Sequence, residues 1–390
     1  SGFNQTILKL HFASLMLFVN SFQQLNCLNN GGQPIDWFVQ IKGNGGYNGY
    51  YIDTAHRSQF KSVPSLEDIN NPVGRTLLPL YSNEYFVAMF NDETPAGKGS
   101  TSFAHQKGVI AFDSTTNTGF YLMHSTPGWP PKLEDSYVYD NDIYAQHFLC
   151  VNIDKSQLEL LGKVLFVSRP QLYENSFDSA FLAAEAPTLL KALQGKYESG
   201  SSKTVAAFKS RAGQKFDFFF KNKASKIDIW ADLIATTKKT NMLVETWLRD
   251  NAAAPDCGEY SVEMVGSMKI LSQQWKETQD HSKWGIDADG KFACFSDINY
   301  MRSQEERGGG AVCIADKNVG MLFKSTIVSM NPKMTCDKVA RAPDSNAVTY
   351  ALVGGLVLLA ALCSVVVLLA KTKKAKAQRK PEEQEATQLL

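Results

Sequence analysis

Residues 280–284 read DHSKW, and an earlier stretch, residues 105–107, reads HQK. Both contain a histidine followed two positions later by a lysine. The two pairs are His105 with Lys107 and His281 with Lys283. In an extended strand, residues two apart lie on one face of a sheet. We therefore expect each stretch to present an imidazole and an ammonium group side by side.

Two imidazoles and two ammonium groups facing one phosphodiester supply what its hydrolysis needs. One histidine attacks phosphorus and forms a covalent intermediate, and the other protonates the leaving oxygen and then activates water. The lysines bind the nonbridging oxygens. These roles require one neutral and one protonated histidine, so we expect activity below neutral pH. The spacing alone also fits two accidental surface pairs, and it does not decide which histidine is the nucleophile.

Short apolar runs rich in aromatic and β-branched residues recur along the chain and predict strands. These runs are residues 37–42, 85–91, 108–113, 119–124, 163–168 and 216–220. Between them, residues 179–194 and 225–236 have apolar positions near a 3.6-residue period, which predicts helices. The sequence therefore predicts an α/β body with substantial sheet.

Cysteine usage indicates an oxidising compartment. Six cysteines lie in the body: Cys27, Cys150, Cys257, Cys294, Cys313 and Cys336. Three disulfides are expected, and the spacing does not choose among the possible pairings. No Cys or His cluster has zinc-ligand spacing, so no structural metal is expected, and the proposed chemistry needs no cofactor.

The ends of the chain predict membrane targeting. Residues 347–370 carry no charge and are followed by a lysine-rich tail, residues 371–390. This length and charge order predict one transmembrane helix with the tail in the cytoplasm. The apolar start, residues 1–22, predicts a signal peptide. The catalytic body, residues 23–346, would then be lumenal or extracellular, in a single-pass type I membrane protein.

Three residues at the end of the tail predict sorting: Glu385, Leu389 and Leu390. They resemble the acidic dileucine signal that clathrin adaptors bind on cytosolic tails. We therefore expect an endosomal or lysosomal location, with the cell surface as the alternative.

Net charge says little about partners, because 40 basic residues face 39 acidic ones. A protein that binds polyanions is usually more basic. In an acidified compartment, however, histidines become charged and carboxylates begin to lose their charge. The composition therefore permits DNA binding at acid pH without requiring it.

Several separated motifs occur in one order along the chain. They are QPIDWF (33–38), VGRTLLPLY (73–81), FNDE (90–93), HQKGVIAFD (105–113), GFYLMHSTPGWPP (119–131), DHSKW (280–284) and SDINYMRSQEERGGGAVC (296–313). In sequence and spacing they resemble the deoxyribonuclease II family. The resemblance covers roughly residues 25–340 and excludes the predicted membrane span and tail.

The resemblance implies a phospholipase D-like fold, a pseudo-dimer of two similar α/β halves, each with a central sheet. The halves would be roughly residues 23–170 and 171–340, and each would contribute one histidine–lysine pair to a shared site. The implied activity is metal-independent cleavage of DNA at acid pH, which leaves 3'-phosphate and 5'-hydroxyl ends.

Four further residues are candidates by resemblance and by type: His124, Asn299, Glu306 and Arg307. His124 would bind phosphate or be a structural histidine, and Asn299 and Glu306 would orient the paired groups. Arg307, with the glycines that follow it, would bind a phosphate or form a tight loop. Trp129 and Trp284 would stack on bases or be buried in the core.

The resemblance also implies three disulfide pairs: Cys27 with Cys150, Cys257 with Cys336, and Cys294 with Cys313. The last pair would close a short loop and steady the region of Lys283.

Two other functions stay open at the level of sequence. The same paired groups would serve a phospholipase D-like phosphodiesterase that acts on lipid or another substrate. A catalytically silent receptor would keep the fold and bind DNA or another ligand. The sequence does not indicate the oligomeric state.

Overall fold

The structure is a computed structural model that describes residues 24–336, except positions 83, 98 and 249–253. The chain divides into two units, residues 1–335 and 336–390, and the elements below all belong to the first. Two large sheets, built from successive parts of the chain, contain most of its strands.

An eight-stranded antiparallel sheet is formed by the first part of the chain. The strands of this part are β1 (Cys27–Leu28), β2 (Pro34–Ile35), β3 (Trp37–Lys42), β4 (Gly49–Asp53), β5 (His56–Val63), β6 (Phe86–Phe90), β7 (Gly108–Asp113), β8 (Thr118–His124), β9 (Gln146–Ile153) and β10 (Leu172–Asn175). Their order in the sheet is β10-β6-β7-β8-β9-β3-β4-β5, and β1 and β2 form a separate ribbon.

A nine-stranded sheet follows in the second part. Its strands are β11 (Lys203–Lys209), β12 (Lys215–Lys221), β13 (Met242–Thr246), β14 (Val262–Ile270), β15 (Gln273–Lys276), β16 (Lys283–Asp287), β17 (Ala293–Ser296), β18 (Gly309–Ile314) and β19 (Ile327–Met330). The order is β11-β12-β18-β17-β16-β13-β14-β15, with β19 also paired to β14. Only β13 and β14 pair in parallel among the described strands.

Helices are few and mostly short. The α-helices are α1 (Pro72–Leu77), α2 (Lys155–Ser168), α3 (Ser179–Glu185), α4 (Pro187–Leu193), α5 (Thr236–Lys238), α6 (Arg302–Glu305) and α7 (Lys317–Thr326). Single 3-10 turns are Leu78–Tyr81, Lys223–Ser225 and Glu277–Gln279, and Ile229–Ala235 forms a π-helix. Large sheets with few helices confirm the predicted α/β class, while the pseudo-dimer stays a prediction.

The two sheets share a hydrophobic core. Its buried side chains come from both sheets and from α2. Tyr121 on β8 and Phe218 on β12 have ring centroids 6.2 Å apart, and Phe60 on β5 packs edge-on against Phe323 of α7. Burying one such side chain stabilises the fold by about 1.5–3 kcal/mol. The shared core therefore packs the two sheets against each other.

Residues 163–168, predicted as a strand, form the end of α2 instead. The helix begins at Lys155 and is capped by Asp154, whose carboxylate accepts from the backbone while Gln157 bonds back in a capping box. Leu158, Leu161 and Leu165 are buried on one side at helical spacing. The capping box and this period outweigh the strand preference of the local apolar run.

The predicted localisation needs correction. A bilayer crossing takes about 20 apolar residues, and the longest helix among those described, α2, has 14. No helix within residues 24–336 is long and apolar enough to cross a membrane, so the structure does not support a single-pass membrane protein. The segments predicted as signal peptide (1–22), membrane span (347–370) and cytoplasmic tail (371–390) lie outside the described residues.

Candidate active site

One cavity of about 350 Å³ is lined by both histidine–lysine pairs. His105 and Lys107 lie in the segment directly before β7, and Lys283 is the first residue of β16, two positions after His281. Both strands are internal in their sheets. The strands therefore fix the direction in which each pair enters the cavity.

The first pair is anchored to a carboxylate at the cavity wall. Asp92, just after β6, accepts a hydrogen bond from the ammonium of Lys107, and its Oδ2 lies 3.7 Å from Nε2 of His105. Burial alone would raise the pKa of Asp92, but the charge and hydrogen bond of Lys107 and the charge of Arg307 outweigh it and hold the pKa well below its usual value. Asp92 is therefore expected to be ionised at pH 5.

His105 is held in its neutral form. Burial lowers its pKa well below the usual value, and the positive charge of Lys107 lowers it further, against the partial opposition of Asp92. Within the described part of the chain its Nδ1 has no hydrogen-bond partner. A neutral imidazole beside two lysines and a phosphate-sized space is the form that a nucleophile requires.

His281 has a different environment, between two aromatic rings. Its ring stacks on Tyr144 with centroids 3.9 Å apart and planes 7° from parallel. Trp247, which also lines the cavity, lies 4.2 Å away on a tilt of 49°. The electron-rich faces of these rings attract a positive charge on the imidazole. The site therefore pairs one histidine held neutral with one that lies between two aromatic rings.

Lys283 is buried beneath the cavity and donates from Nζ to the carbonyl oxygen of His281 at 2.6 Å. Burial lowers its pKa to about 7, and the ammonium of Lys107 acts in the same direction. The ammonium groups of Lys107 and Lys283 line the same cavity. They repel one another unless an anion lies between them. The pair is therefore suited to binding a phosphate.

Each motif donates a backbone hydrogen bond to the other sheet's part of the chain. The N–H of His105 donates to the carbonyl of Gly308 at 2.9 Å, and the N–H of His281 donates to that of Ala145 at 2.9 Å. A Cβ at Gly308 would lie 2.1 Å from the carbonyl oxygen of Ser168, so only glycine fits this approach. Each motif is thus held in place by the backbone of the part of the chain that carries the other motif.

Of the further candidates, Asn299 lines the cavity. Arg307 lies behind the cavity, where its Nη2 donates to Asp92 and to the carbonyls of Ser100 and Phe103. Glu306 is exposed and lines a separate cavity of about 510 Å³. The structure therefore brings Asn299 to the paired groups, gives Arg307 an indirect contact, and leaves Glu306 away from them.

His124 and the two tryptophans lie in the core. His124 is fully buried at the end of β8, with its ring 5.0 Å from Trp129 and 6.3 Å from Phe148. Burial, and then Lys107, lower its pKa well below the usual value. The indole of Trp129 donates to a backbone carbonyl, and Trp284 packs on a core phenylalanine. Because both indoles are buried, the base-stacking interpretation is wrong for them.

The sequence analysis missed the rings that flank His281. Tyr144 precedes β9 and Trp247 follows β13, and neither falls in a motif with recognisable spacing. A partly exposed tryptophan directly after a buried strand was the available signal. Trp247, not Trp129 or Trp284, is the indole at the cavity.

Two predicted disulfides are present, Cys27–Cys150 and Cys294–Cys313. Cys257 and Cys336 are each disulfide-bonded too. The Cys294–Cys313 disulfide joins directly opposed residues of β17 and β18, and so closes the loop that carries Asn299 and Arg307. The predicted role of this disulfide concerned only the region of Lys283. The loop that it closes contacts the first motif as well as the cavity.

Two other features bear on cofactors and sorting. Within the described ranges, no group of three or more His, Cys, Asp or Glu side chains is arranged to hold a metal ion. The predicted sorting residues, Glu385, Leu389 and Leu390, lie outside the described residues.

The comparisons with known proteins cover the same part of the chain. The family model described as Deoxyribonuclease II matches residues 26–333. The chain is similar to "Deoxyribonuclease-2" of Caenorhabditis elegans, with 30% identity over 371 residues, covering 82% of this chain and 98% of that protein. It is similar to "Deoxyribonuclease-2-alpha" of Bos taurus, with 28% identity over 82% of this chain and 92% of the relative. "Plancitoxin-1" of Acanthaster planci is 29% identical over 81% and 94%.

Proposed function

The chain belongs to the deoxyribonuclease II family and is a hydrolase of that kind, and from this premise we propose that it cleaves DNA by a metal-independent, two-histidine mechanism at acid pH. The observation that carries the proposal is that both histidine–lysine pairs line one cavity. Membership of this family indicates that the substrate is DNA. The geometry of the cavity supports different roles for His105 and His281.

His105 is the nucleophile in this mechanism, because its surroundings keep it neutral. A ring nitrogen of His105 forms a bond to phosphorus as the bond from phosphorus to the 5' oxygen breaks. His281, between Tyr144 and Trp247, donates its proton to that leaving oxygen. The products of this step are a 5'-hydroxyl strand and a phosphohistidine that carries the 3' side of the cut.

Water completes the cycle. The now neutral His281 takes a proton from a water molecule, whose oxygen attacks phosphorus as the bond to His105 breaks. The second strand leaves with a 3'-phosphate, and both histidines return to their starting forms. Asp92, 3.7 Å from His105, stabilises the positive charge that the ring bears in the intermediate.

The two lysines bind the nonbridging phosphate oxygens. Lys107 is held by Asp92, and Lys283 is charged only below a pKa of about 7. Two ammonium groups offset the negative charge that develops on phosphorus, which is the usual task of a metal ion in phosphoryl transfer. Acid pH keeps Lys283 charged.

We further propose that the body consists of two similar halves, roughly residues 23–170 and 171–340. The first sheet's strands fall between residues 37 and 175, and the second sheet's between 203 and 330. Each half supplies one histidine–lysine pair, which supports this division.

The test is plasmid cleavage by the full chain at pH 5 and pH 7.5, with EDTA present throughout. We compare the unmodified protein with His105→Ala and His281→Ala. His56→Ala is the control, because His56 is a half-exposed histidine paired with Asp53 outside the cavity. Each catalytic substitution is expected to lower the rate at pH 5 by about 100-fold or more, and the control is expected to cleave normally.

The products distinguish the proposal from its competitors. Fragments with 5'-hydroxyl ends accept labelled phosphate from a polynucleotide kinase without prior dephosphorylation. Cleavage that requires an added divalent metal, or that survives in either catalytic variant, would contradict the mechanism. Well-folded protein that cleaves nothing at either pH would favour a receptor or a different phosphodiester substrate.

A further inference from the structure

His147 lies on β9 of the first sheet, but its ring contacts the second motif. Its Nδ1 accepts a hydrogen bond from the backbone N–H of Lys283 at 3.1 Å. The side chain is fully buried, and within the described part of the chain its Nε2 has no hydrogen-bond partner. An imidazole nitrogen accepts only while it carries no proton, so the ring is the neutral form with its proton on Nε2.

A reciprocal contact exists on the other motif. Asp297, in the loop between β17 and β18, accepts a hydrogen bond from the backbone N–H of Lys107 through Oδ1 at 3.4 Å. Its Oδ2 accepts from the N–H of Gly310 at 3.2 Å, and the carboxyl group is buried. Lys107, which belongs to the first sheet's part of the chain, is therefore held by Asp297 from the second sheet's part. Lys283, from the second part, is held by His147 from the first.

Neither His147 nor Asp297 is among the residues that line the cavity. Each of them therefore reaches the substrate through the lysine whose backbone it contacts. Lys283 in turn donates from Nζ to the carbonyl oxygen of His281. A shift of its backbone therefore moves both an ammonium group and a catalytic histidine.

We propose that His147 and Asp297 are positioning residues, each of which fixes the backbone of the catalytic lysine in the opposite half. This inference rests on the proposed function for its catalytic meaning. The buried ring of His147 makes one side-chain hydrogen bond, and that bond is to Lys283. Burying a polar ring costs free energy unless the ring is hydrogen-bonded, so the bond to Lys283 offsets part of the cost of burying His147.

The charges around His147 keep it able to accept. Burial lowers its pKa well below the usual value, and the nearby Lys283, His124 and Lys107 act in the same direction. The ring therefore remains an acceptor at the acid pH at which the other groups work. A protonated ring would turn Nδ1 into a donor that faces another donor.

Two substitutions of His147 separate positioning from packing. His147→Asn places an amide oxygen near the position of Nδ1 and keeps an acceptor for Lys283. His147→Leu fills a similar volume and removes the acceptor. With plasmid DNA at pH 5, His147→Leu is expected to lower kcat by about 10- to 100-fold with little change in KM, because misplaced catalytic groups slow the chemical step. His147→Asn is expected to retain most of kcat.

Val151→Ala is the matched control, because Val151 is buried on the same strand and lines no part of the cavity. Thermal unfolding of all three variants shows how far stability has changed. The proposal predicts that the control loses stability but keeps kcat. It is overturned if His147→Leu keeps normal kcat, or if the folded asparagine variant is as slow as the leucine variant.

Hydrogen exchange of the backbone amides gives a readout that does not depend on activity. In the unmodified protein, the Lys283 amide is expected to exchange slowly, and His147→Leu should accelerate it while His147→Asn does not. If the unmodified protein fails to cleave DNA, the proposed function fails, yet this exchange pattern still decides the positioning role. Unchanged exchange in His147→Leu would reject it.

Discussion

The guanidinium of Arg307 donates to the carboxylate of Asp92 at 3.2 Å, and so ties the β17–β18 loop to the segment after β6. Asp92 is the partner of Lys107 and the neighbour of His105. Arg307 also donates to two carbonyls in the segment that leads to His105. It therefore supports the first motif without entering the cavity.

Loss of this support should slow the reaction. We expect Arg307→Ala to lower kcat/KM for DNA at pH 5 by about 10-fold or more, because Asp92 loses one charged partner and the motif loses a fixed neighbour. Arg302→Ala is the control, since Arg302 is exposed in the same loop. Steady-state cleavage rates measure both. Equal rates for the two variants would show that Arg307 only fills space.

The pKa of Lys283 predicts the alkaline limit of activity. Burial lowers that pKa to about 7, so the ammonium is charged below this pH and loses its charge as the pH rises through it. We expect kcat/KM to fall above pH 7 as phosphate binding weakens. Lys283→Arg keeps a charge at all these values.

The arginine variant is expected to be slower at pH 5, because its planar group does not reproduce the lysine geometry. Its kcat/KM should nevertheless change less between pH 6 and pH 8 than that of the unmodified protein. The measurement is a pH profile of both proteins at constant ionic strength. Parallel profiles would assign the alkaline limit to another group.

The core histidine His124 predicts a dependence of stability on pH. Burial lowers its pKa well below the value of the unfolded chain, so the unfolded state binds more protons at acid pH. Its contribution is fully present above about pH 6.5 and is lost as the pH falls through that value. Raised carboxyl pKa values, such as that of Asp297 at about 8, act in the opposite direction.

His124→Phe isolates the histidine contribution. Between pH 7.5 and pH 5 we expect the variant to lose less free energy of unfolding than the unmodified protein, by on the order of 1 kcal/mol. Urea unfolding at the two pH values measures the difference. A variant that loses as much as the unmodified protein would mean that His124 does not titrate between the states.

The two histidine–lysine pairs could be proposed as a candidate site from sequence because each pair is local, two residues apart. The partners that hold the pairs were not readable. Ala145, His147 and Gly308 reach the motifs only through the arrangement of two sheets, and no spacing along the chain encodes that. Likewise, α2 was mistaken for a strand over residues 163–168 because its capping residues lie several positions before the apolar run.

The disulfide Cys294–Cys313 closes the base of the loop that contains Asp297 and Arg307. Replacing both cysteines with alanine is expected to lower the free energy of unfolding by about 2–4 kcal/mol. It should also lower kcat, because the loop supports the first motif. Activity at pH 5 and urea unfolding measure the two effects separately.

The pair Cys27–Cys150 provides the control, since it closes a much longer stretch of 123 residues and lies outside this loop. Its removal should cost as much stability or more, with kcat preserved in the folded fraction. If both double variants lose kcat alike, the disulfide near the site has no separate catalytic role.

The crossed contacts between the two parts of the chain also bear on biosynthesis. Lys107 and Asp297 are 190 positions apart, and His147 and Lys283 are 136 apart. Contacts of such long range form only after most of the chain has folded. A nascent or truncated chain that lacks the second sheet carries its first histidine and lysine without the groups that hold them. We therefore expect the capacity to cut DNA to be acquired late in folding, once both sheets are in place.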